Sequence, residues 1–325
     1  MMKHQNIPLL LLVACLWQGS AQAASFDCAK ARTGSEKAIC ANPELGRLDE
    51  EISQAYRTLL AKVPAPYQPK LQQSQRNWLK SRPDGGDLAP ALRTRLDRLK
   101  TALSTVNGVM LLEIDGQHMP PYVLSPLPGA AAYNREVDAI WNAAQQDAAA
   151  ALRVGECDRL QEARGADTPD PATRRKLAEC DGLTTTGRYY KVDFVSPDLL
   201  SVQETEMEMT WGAAHPSNSS RHLNRWLSRP GKVGPDDMFA AAGYRDVLRK
   251  GARRYLAKEG ATGSPDTDAE AVDPDNWGFS ADQLTITGQA ENYGLGRGDI
   301  EIAIPWRDFG ATVRPQFLGL LKKAR

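Results

Sequence analysis

The chain has 325 residues, with 40 Lys and Arg against 40 Asp and Glu, so its formal net charge is zero, and 42% of its residues are hydrophobic. That apolar content supports packed cores and excludes wholesale disorder. The neutral balance, with no basic-aromatic stripe, argues against nucleic acid as a partner.

The N-terminus reads as an export signal. Lys3 precedes an apolar run from Ile7 to Trp17, followed by QGSAQA ending at Ala23. A charged start, an h-region of about 7–15 apolar residues and an A-x-A-like site describe a secretory signal peptide over residues 1–23. The run falls short of the roughly 20 residues of a membrane-spanning helix, and no later stretch is long enough, so no membrane span is expected. Leu12-Val13-Ala14-Cys15 also has the form of a lipobox, which would make Cys15 a lipid-anchored first residue. Leu16 and Trp17 prolong the apolar run past that point, and Ala21-Gln22-Ala23 offers an ordinary site. Cleavage after Ala23 is therefore preferred, and a periplasmic or secreted location is expected.

Either route takes Cys15 out of pairing and leaves Cys28, Cys40, Cys157 and Cys180 in an oxidising compartment. Four cysteines allow three connectivities, and proximity along the chain favours Cys28–Cys40 and Cys157–Cys180. A zinc site would want tighter spacing or a His pair nearby, and a redox site would want C-x-x-C. Two staples remain, each worth on the order of 3 kcal/mol.

About 300 residues follow the signal, a length that usually divides into two domains. Residues 24–107 carry 14 Lys and Arg against 9 Asp and Glu, and residues 108–325 carry 25 against 31. The first part reads as helices. Thr33 or Ser35 caps a short turn through Cys40, and Asn42-Pro43-Glu44 is a helix start with cap, proline and early acid. Leu45, Leu48, Ile52, Ala55, Tyr56 and Leu59 follow at helical spacing. PAPYQP breaks the chain before LQQSQRNWLKSR, PDGGD breaks it again, and Leu88, Leu92, Leu96, Leu99 and Leu103 mark a third helix whose stripe reads as packing in a small bundle.

The second part mixes types. Tyr133 to Leu152 is alanine-rich and helical, and DTPDPATRRKLAEC is a loop entering a short helix. KVDFV, LLSVQETEMEMTW, DQLTITG and DIEIAIPW alternate as strands do. Asp236 to Lys258 is expected to be one helix. Glu259 to Asp275, with six acids and no base, is expected to be a mobile loop. Strands and helices interleave without a βαβ rhythm, so the fold class is α+β: a small disulfide-stapled helical domain and a mixed domain with a mainly antiparallel sheet.

Two resemblances follow from these residues. FDCAKARTGSEKAICANPELGRLDEEISQAYRTLL and the helix bearing QRNWLKSR resemble the N-terminal domain of the LprI family of lysozyme inhibitors over about residues 25–104. The carriers are Leu45, Leu48, Asp49, Ala55 and Tyr56, then Gln75, Arg76, Trp78, Leu79 and Arg82. Family members usually have a further cysteine after that Arg and another before the last helix. Both are absent here, as loss of a bonded pair would give. TWGAAHPSNSSRHLNRW, PDDMF and WGFSADQLTITGQAENYGLGRGDIEIAIPWRDF resemble the C-terminal domain of RsiV-type anti-sigma factors, also found on some cell-wall deacetylases. Both resemblances imply a lysozyme-type muramidase as partner, though a fold does not fix a function.

The catalytic alternatives are thin. His118, His215 and His222 are the histidines beyond the signal. His215 beside Ser217 or Ser219 lacks a nucleophile elbow and reads as a loop anchor, while His215 with His222 lacks a third metal ligand. The glycines of YGLGRGD precede a strand, whereas phosphate cradling needs a helix N-terminus. No cofactor, metal or catalytic residue is expected, and a hydrolase or deacetylase is the least favoured reading. Binding to a basic lysozyme would use an acidic surface. The candidates are Glu204, Glu206 and Glu208, alternating on one strand face that otherwise reads as solvated, and Asp266, Asp268 and Glu270 in the acidic segment. His215, Trp211 and Trp277 join them, Trp226 and Trp306 are further possible anchors, and core packing is the plainer role for each Trp. An envelope module for another partner, such as peptidoglycan, is the alternative.

Overall fold

The computed structural model describes residues 24–83, 87–144, 157, 170–180, 182–211, 213, 215–295 and 298–322. The expected signal segment, Cys15, residues 145–152 of the alanine-rich stretch and residues 296–297 within YGLGRGD lie outside them. The chain forms two compact units that divide between Leu99 and Lys100.

The first unit is helical. Thr33 caps α1 (Gly34–Ala41): its hydroxyl accepts from Glu36 N at 3.1 Å, and the Glu36 carboxylate accepts from the Arg32 and Thr33 N–H groups. This reciprocal box satisfies amides that would otherwise be orphaned at the helix start, and the same hydrogen bonds hold the Glu36 carboxyl below its usual range. Asn42 caps α2 (Pro43–Lys62) by accepting from Glu44 N and Leu45 N. Helices α3 (Gln68–Ser81) and α4 (Leu88–Thr101) complete the unit, and Ile39, Leu48, Ile52, Leu59, Leu71, Leu92 and Leu96 fill its core. The Cys28–Cys40 disulfide fastens the 3-10 turn Cys28–Lys30 to α1.

Leu103 departs from expectation: the leucine stripe ends with Leu99 in α4, and Leu103 opens a strand. Strand β1 (Leu103–Val106) pairs antiparallel with β2 (Val109–Leu112), which pairs with β3 (Tyr122–Val123). Asn107 and Gly108 have φ of 50° and 78°, the left-handed pair that a two-residue hairpin turn requires. Helix α5 (130–144) clamps β3 through Asn134, whose amide oxygen accepts from Val123 N and whose amide NH2 donates to Val123 O. Cys157 and Cys180 are bonded, and α6 (Pro171–Ala178) precedes the second cysteine.

Two further three-stranded antiparallel sheets follow. The longer one is β4 (Thr184–Val195), β5 (Leu199–Thr210) and β6 (Ser217–Trp226), with a bulge in β4 between Val192 and Phe194. The other is β7 (Trp277–Phe279), β8 (Gln283–Gln289) and β9 (Asp299–Pro305). The expected single helix over Asp236–Lys258 is two: α7 (Pro235–Met238) and α8 (Tyr244–Lys258). Phe239 breaks it by taking an extended conformation, bridging to Val313 and stacking on Tyr244 at 4.2 Å. The expected mobile loop at 259–275 contains α9 (Thr267–Val272). Its buried Thr267 and Ala271 are one turn apart, and Trp277 Nε1 donates to Ala271 O at 3.0 Å, so a polar composition concealed an anchored helix. With α10 (Pro315–Lys322), these elements enclose a core that includes Leu199, Leu248, Trp277, Phe279, Ile286, Ile304 and Phe317.

The two sheets meet tightly at Gly278. A Cβ there would lie 2.4 Å from His222 Cε1 and 3.0 Å from Asp193 Oδ2. Gly278→Ala is expected to destabilise the protein by about 1–3 kcal/mol, the usual cost of overpacking, measured as a lower urea midpoint with an unchanged m-value.

Candidate partner-binding surfaces

The motif residues of the helical unit point mostly inward. Asp49 on α2 is buried and accepts from Ser25 N at 2.9 Å, Ser25 Oγ at 2.5 Å and Arg82 Nη1 at 3.3 Å. On α4, Arg95 is also buried; its Nε and Nη2 donate to Gln75 Oε1 at 3.1 and 2.8 Å, and Nη2 reaches Ser74 Oγ at 3.4 Å. The guanidinium carbons of Arg82 and Arg95 lie 5.6 and 5.5 Å from the Trp78 ring centroid. Buried charge is costly without partners, and Asp49, Gln75, Trp78, Arg82 and Arg95 form one buried polar core joining α2, α3 and α4, in which Arg82 Nε is left without a hydrogen-bond partner among the described residues. Leu48 is buried, Leu45 and Tyr56 are half-buried, and burial pushes the Tyr56 phenol up. Arg76 and Leu79 face outward, Leu79 being 45% exposed.

The strand glutamates do not form one solvated face. Glu204 is only 2% exposed: Tyr190 OH donates to Oε1 at 3.1 Å, Arg221 Nε donates to Oε2 at 2.7 Å, and Arg188 Nε lies 3.7 Å away. Tyr190, Glu204 and Arg221 are direct cross-strand partners on β4, β5 and β6, the arrangement in which opposite charges stabilise a sheet. Glu206 pairs with Arg188 Nε at 2.8 Å. Glu208 is exposed, between Thr186 and Ser217 in register.

In the acidic segment, Asp268 binds Arg253 through both oxygens, and Glu270 accepts from the side-chain amides of Asn276 and Asn292. Asp266, Asp273 and Asp275 are exposed. Trp277 is fully enclosed and Trp306 nearly so, which removes both from any contact surface. Trp226 is half-buried under Arg229, whose guanidinium carbon is 4.2 Å from its ring centroid, and Trp211 is half-buried where β5 ends.

His215 is exposed, and its Nδ1 donates to Pro216 O at 3.1 Å. It borders a cleft of about 350 Å³ with Ser217, Asn218, Gln289 and Glu291. A different histidine holds the arrangement that the sequence did not suggest. His222 Nε2 donates to Thr287 Oγ1 at 3.1 Å, Thr287 donates onward to Asn276 O at 3.3 Å, and His222 Nδ1 lies 3.2 Å from Asp193 Oδ2. Asp, His and hydroxyl stand here in the order of a nucleophile relay. Thr287 is fully buried, however, and its hydroxyl hydrogen is committed to a carbonyl, so the arrangement braces β6 against β8. Alternation in SNSSRHLNRW was the available signal: it puts His222 and Asn224 on one face, and Asn224 donates to Trp277 O across the same junction. Among the described residues no three His, Cys, Asp or Glu side chains converge as a metal-ligand set, and no helix is long and apolar enough to cross a membrane.

Arg82→Ala removes the one cation paired with Asp49 among the described residues, leaving it only the Ser25 donors, and should cost the helical unit about 3–5 kcal/mol, as breaking a buried pair does, read from far-UV circular dichroism in urea. Burial pushes the phenols of Tyr133, Tyr190 and Tyr293 far above the usual value of about 10, Glu204 adding to the effect at Tyr190. Folded values above the unfolded one mean that this stabilisation is complete below about pH 10 and erodes as pH rises towards the folded values. Phenolate absorbance from these three should therefore appear together with cooperative unfolding above about pH 10; independent titration in a folded protein would contradict it.

Residues 28–101 match a family model described as "Lysozyme inhibitor LprI". No curated protein matches the chain. Solved structures similar to it include a member of the DUF3298 family from Bacteroides fragilis NCTC 9343, at 20% identity and a TM-score of 0.34, covering 43% of this chain and 58% of that one. A DUF3298 family protein from Pseudomonas aeruginosa PAO1 has 15% identity and a TM-score of 0.34, covering 48% of this chain and 75% of that one. The chain thus spans 58% of the length of the first of these structures. Residues 28–101, the helical segment that carries Asp49, Gln75, Trp78 and Arg82, are similar to the LprI lysozyme inhibitors.

Proposed function

We propose that this protein is exported, has no catalytic role, and binds lysozyme-type muramidases so as to protect the cell wall. The observation that carries the reading is the match of residues 28–101 to the LprI lysozyme inhibitors. The motif residues of that segment are engaged with one another inside the helical unit, so contact with a partner falls to outward side chains. Arg76 and Leu79 on α3 are such residues, but residues 24–107 carry excess positive charge, which repels a basic enzyme. The acidic second part supplies the complementary charge, through Glu208 on β5 and the exposed Asp266, Asp273 and Asp275 around α9. Complementary charge speeds encounter and fixes orientation, and screening weakens it as the Debye length falls from about 10 Å at 0.1 M salt to about 3 Å at 1 M.

Titration of the full chain against a c-type lysozyme, with inhibition read on a soluble chitooligosaccharide, tests this. Inhibition is expected, weaker in high salt, and Asp273→Lys/Asp275→Lys should lower affinity about tenfold. Absence of inhibition, or turnover of glycan, ester or amide by the purified protein that a single substitution abolishes, would overturn the reading.

A further inference from the structure

Within the acidic part of the chain, α8 is a basic element. It carries Arg245, Arg249, Lys250, Arg253, Arg254 and Lys258, with Asp246 as its only acid. Leu248, Gly251, Ala252 and Leu256 form its buried row, and a Cβ on Gly251 would lie 2.4 Å from Ile304 Cδ1, so one side of the helix is pressed onto β9. The cations gather away from that row.

A hollow of about 690 Å³ is lined there by Val247, Lys250, Arg253, Arg254, Ala257 and Asp308. From Val247 to Ala257 the helix rises about 15 Å, the reach of an extended chain of about four or five residues. The positive charge is only partly offset. Arg254 Nη2 donates to Asp308 Oδ2 at 3.0 Å, while Arg253 gives Nε and Nη2 to Asp268. A guanidinium has five N–H donors, so each retains others, and these side chains are 65% and 67% exposed. Lys250 is exposed and has no carboxylate within ion-pair distance among the described residues.

We propose that this hollow docks the carboxylate-bearing peptides of cell-wall peptidoglycan. The peptide lies extended along α8, with its carboxylates on Lys250, Arg253 and Arg254 and its aliphatic carbons over Val247 and Ala257. The inference rests on the reading of the protein as an exported protector of the wall, and adds a means of holding it on the polymer it protects. Charge complementarity favours an acidic polymer over a neutral glycan, and the length of the hollow favours an extended peptide over a compact phosphate.

Co-sedimentation of the full chain with purified, protein-free peptidoglycan sacculi tests the proposal. Lys250→Glu/Arg253→Glu is expected to weaken sedimentation about tenfold, Lys250→Ala less so, and chemical amidation of the sacculus carboxylates should abolish it for the unaltered protein. Undiminished binding of the amidated sacculi, equal sedimentation of the Lys250 variants and the unaltered chain, or equal capture by anionic phospholipid vesicles would overturn it. Inhibition of lysozyme on the soluble oligosaccharide should be unchanged in Lys250→Ala. Sacculus binding that persists without lysozyme inhibition would overturn the proposed function and leave the docking surface standing.

Discussion

A polar side chain enclosed between two sheets has no water to turn to, and its partners must come from the protein. His222, Asn224 and Ser201 each take such a partner at the junction of the two longer sheets, while His222 Nδ1 and Asn224 Oδ1 have no hydrogen-bond partner there among the described residues. His222 takes Thr287, Asn224 takes the Trp277 carbonyl, and Ser201 accepts from Phe279 N at 3.3 Å. Each of these bonds reaches from β5 or β6 to β7 or β8, so the register of one sheet is tied to that of the other. The aromatic core beyond, with Trp277, Phe279, Phe239 and Phe309, can close only when that register is right.

The same constraint governs the helical unit and shapes its surface. Burial of Asp49 and Arg95 commits Ser25, Gln75 and Arg82 to internal bonds. What gives the segment its sequence signature is therefore a polar core, and the signature alone says little about which outward residues touch a partner. In the second unit, Glu204 is neutralised from within while the acids around α9 stay partly in solvent. Negative charge is thereby concentrated near Asp273 and Asp275, and positive charge along α8. A chain of zero net charge can in this way present surfaces of opposite sign to different polymers.

Much of the architecture was legible because it rests on local rules. Asn42-Pro43-Glu44 and Thr33 with Glu36 are helix starts at the level of single residues, and alternation in LLSVQETEMEMTW and DIEIAIPW marks β5 and β9. The short cysteine spacings led to the observed bonds. The misreadings have long-range causes. Leu103 keeps helical spacing with Leu99, but the Asn107-Gly108 turn and pairing with Leu112 claim it for a strand. Phe239 sits inside a helical pattern until a bridge to Val313, far along the chain, extends it. Glu204 looked solvated because alternation assigns a face without saying what covers it. The Asp193–His222–Thr287 brace was invisible because three strands from distant parts of the sequence contribute to it.

The bulge in β4 places Asp193 as the unpaired residue between Val192 and Phe194. In a regular strand, neighbouring side chains point to opposite sides, yet Asp193 Oδ2 lies 3.0 Å from where a Cβ on Gly278 of β7 would stand, and Phe194 packs 5.8 Å from Phe279. Both consecutive residues thus serve the facing sheet, which the extra residue makes geometrically possible. The insertion that spoils the ladder is the one that delivers the acid. Shortening the strand by a single residue there would restore ideal pairing and withdraw the carboxylate from beside the His222 imidazole, so a regular ladder and this side-chain contact are alternatives at this point in the chain.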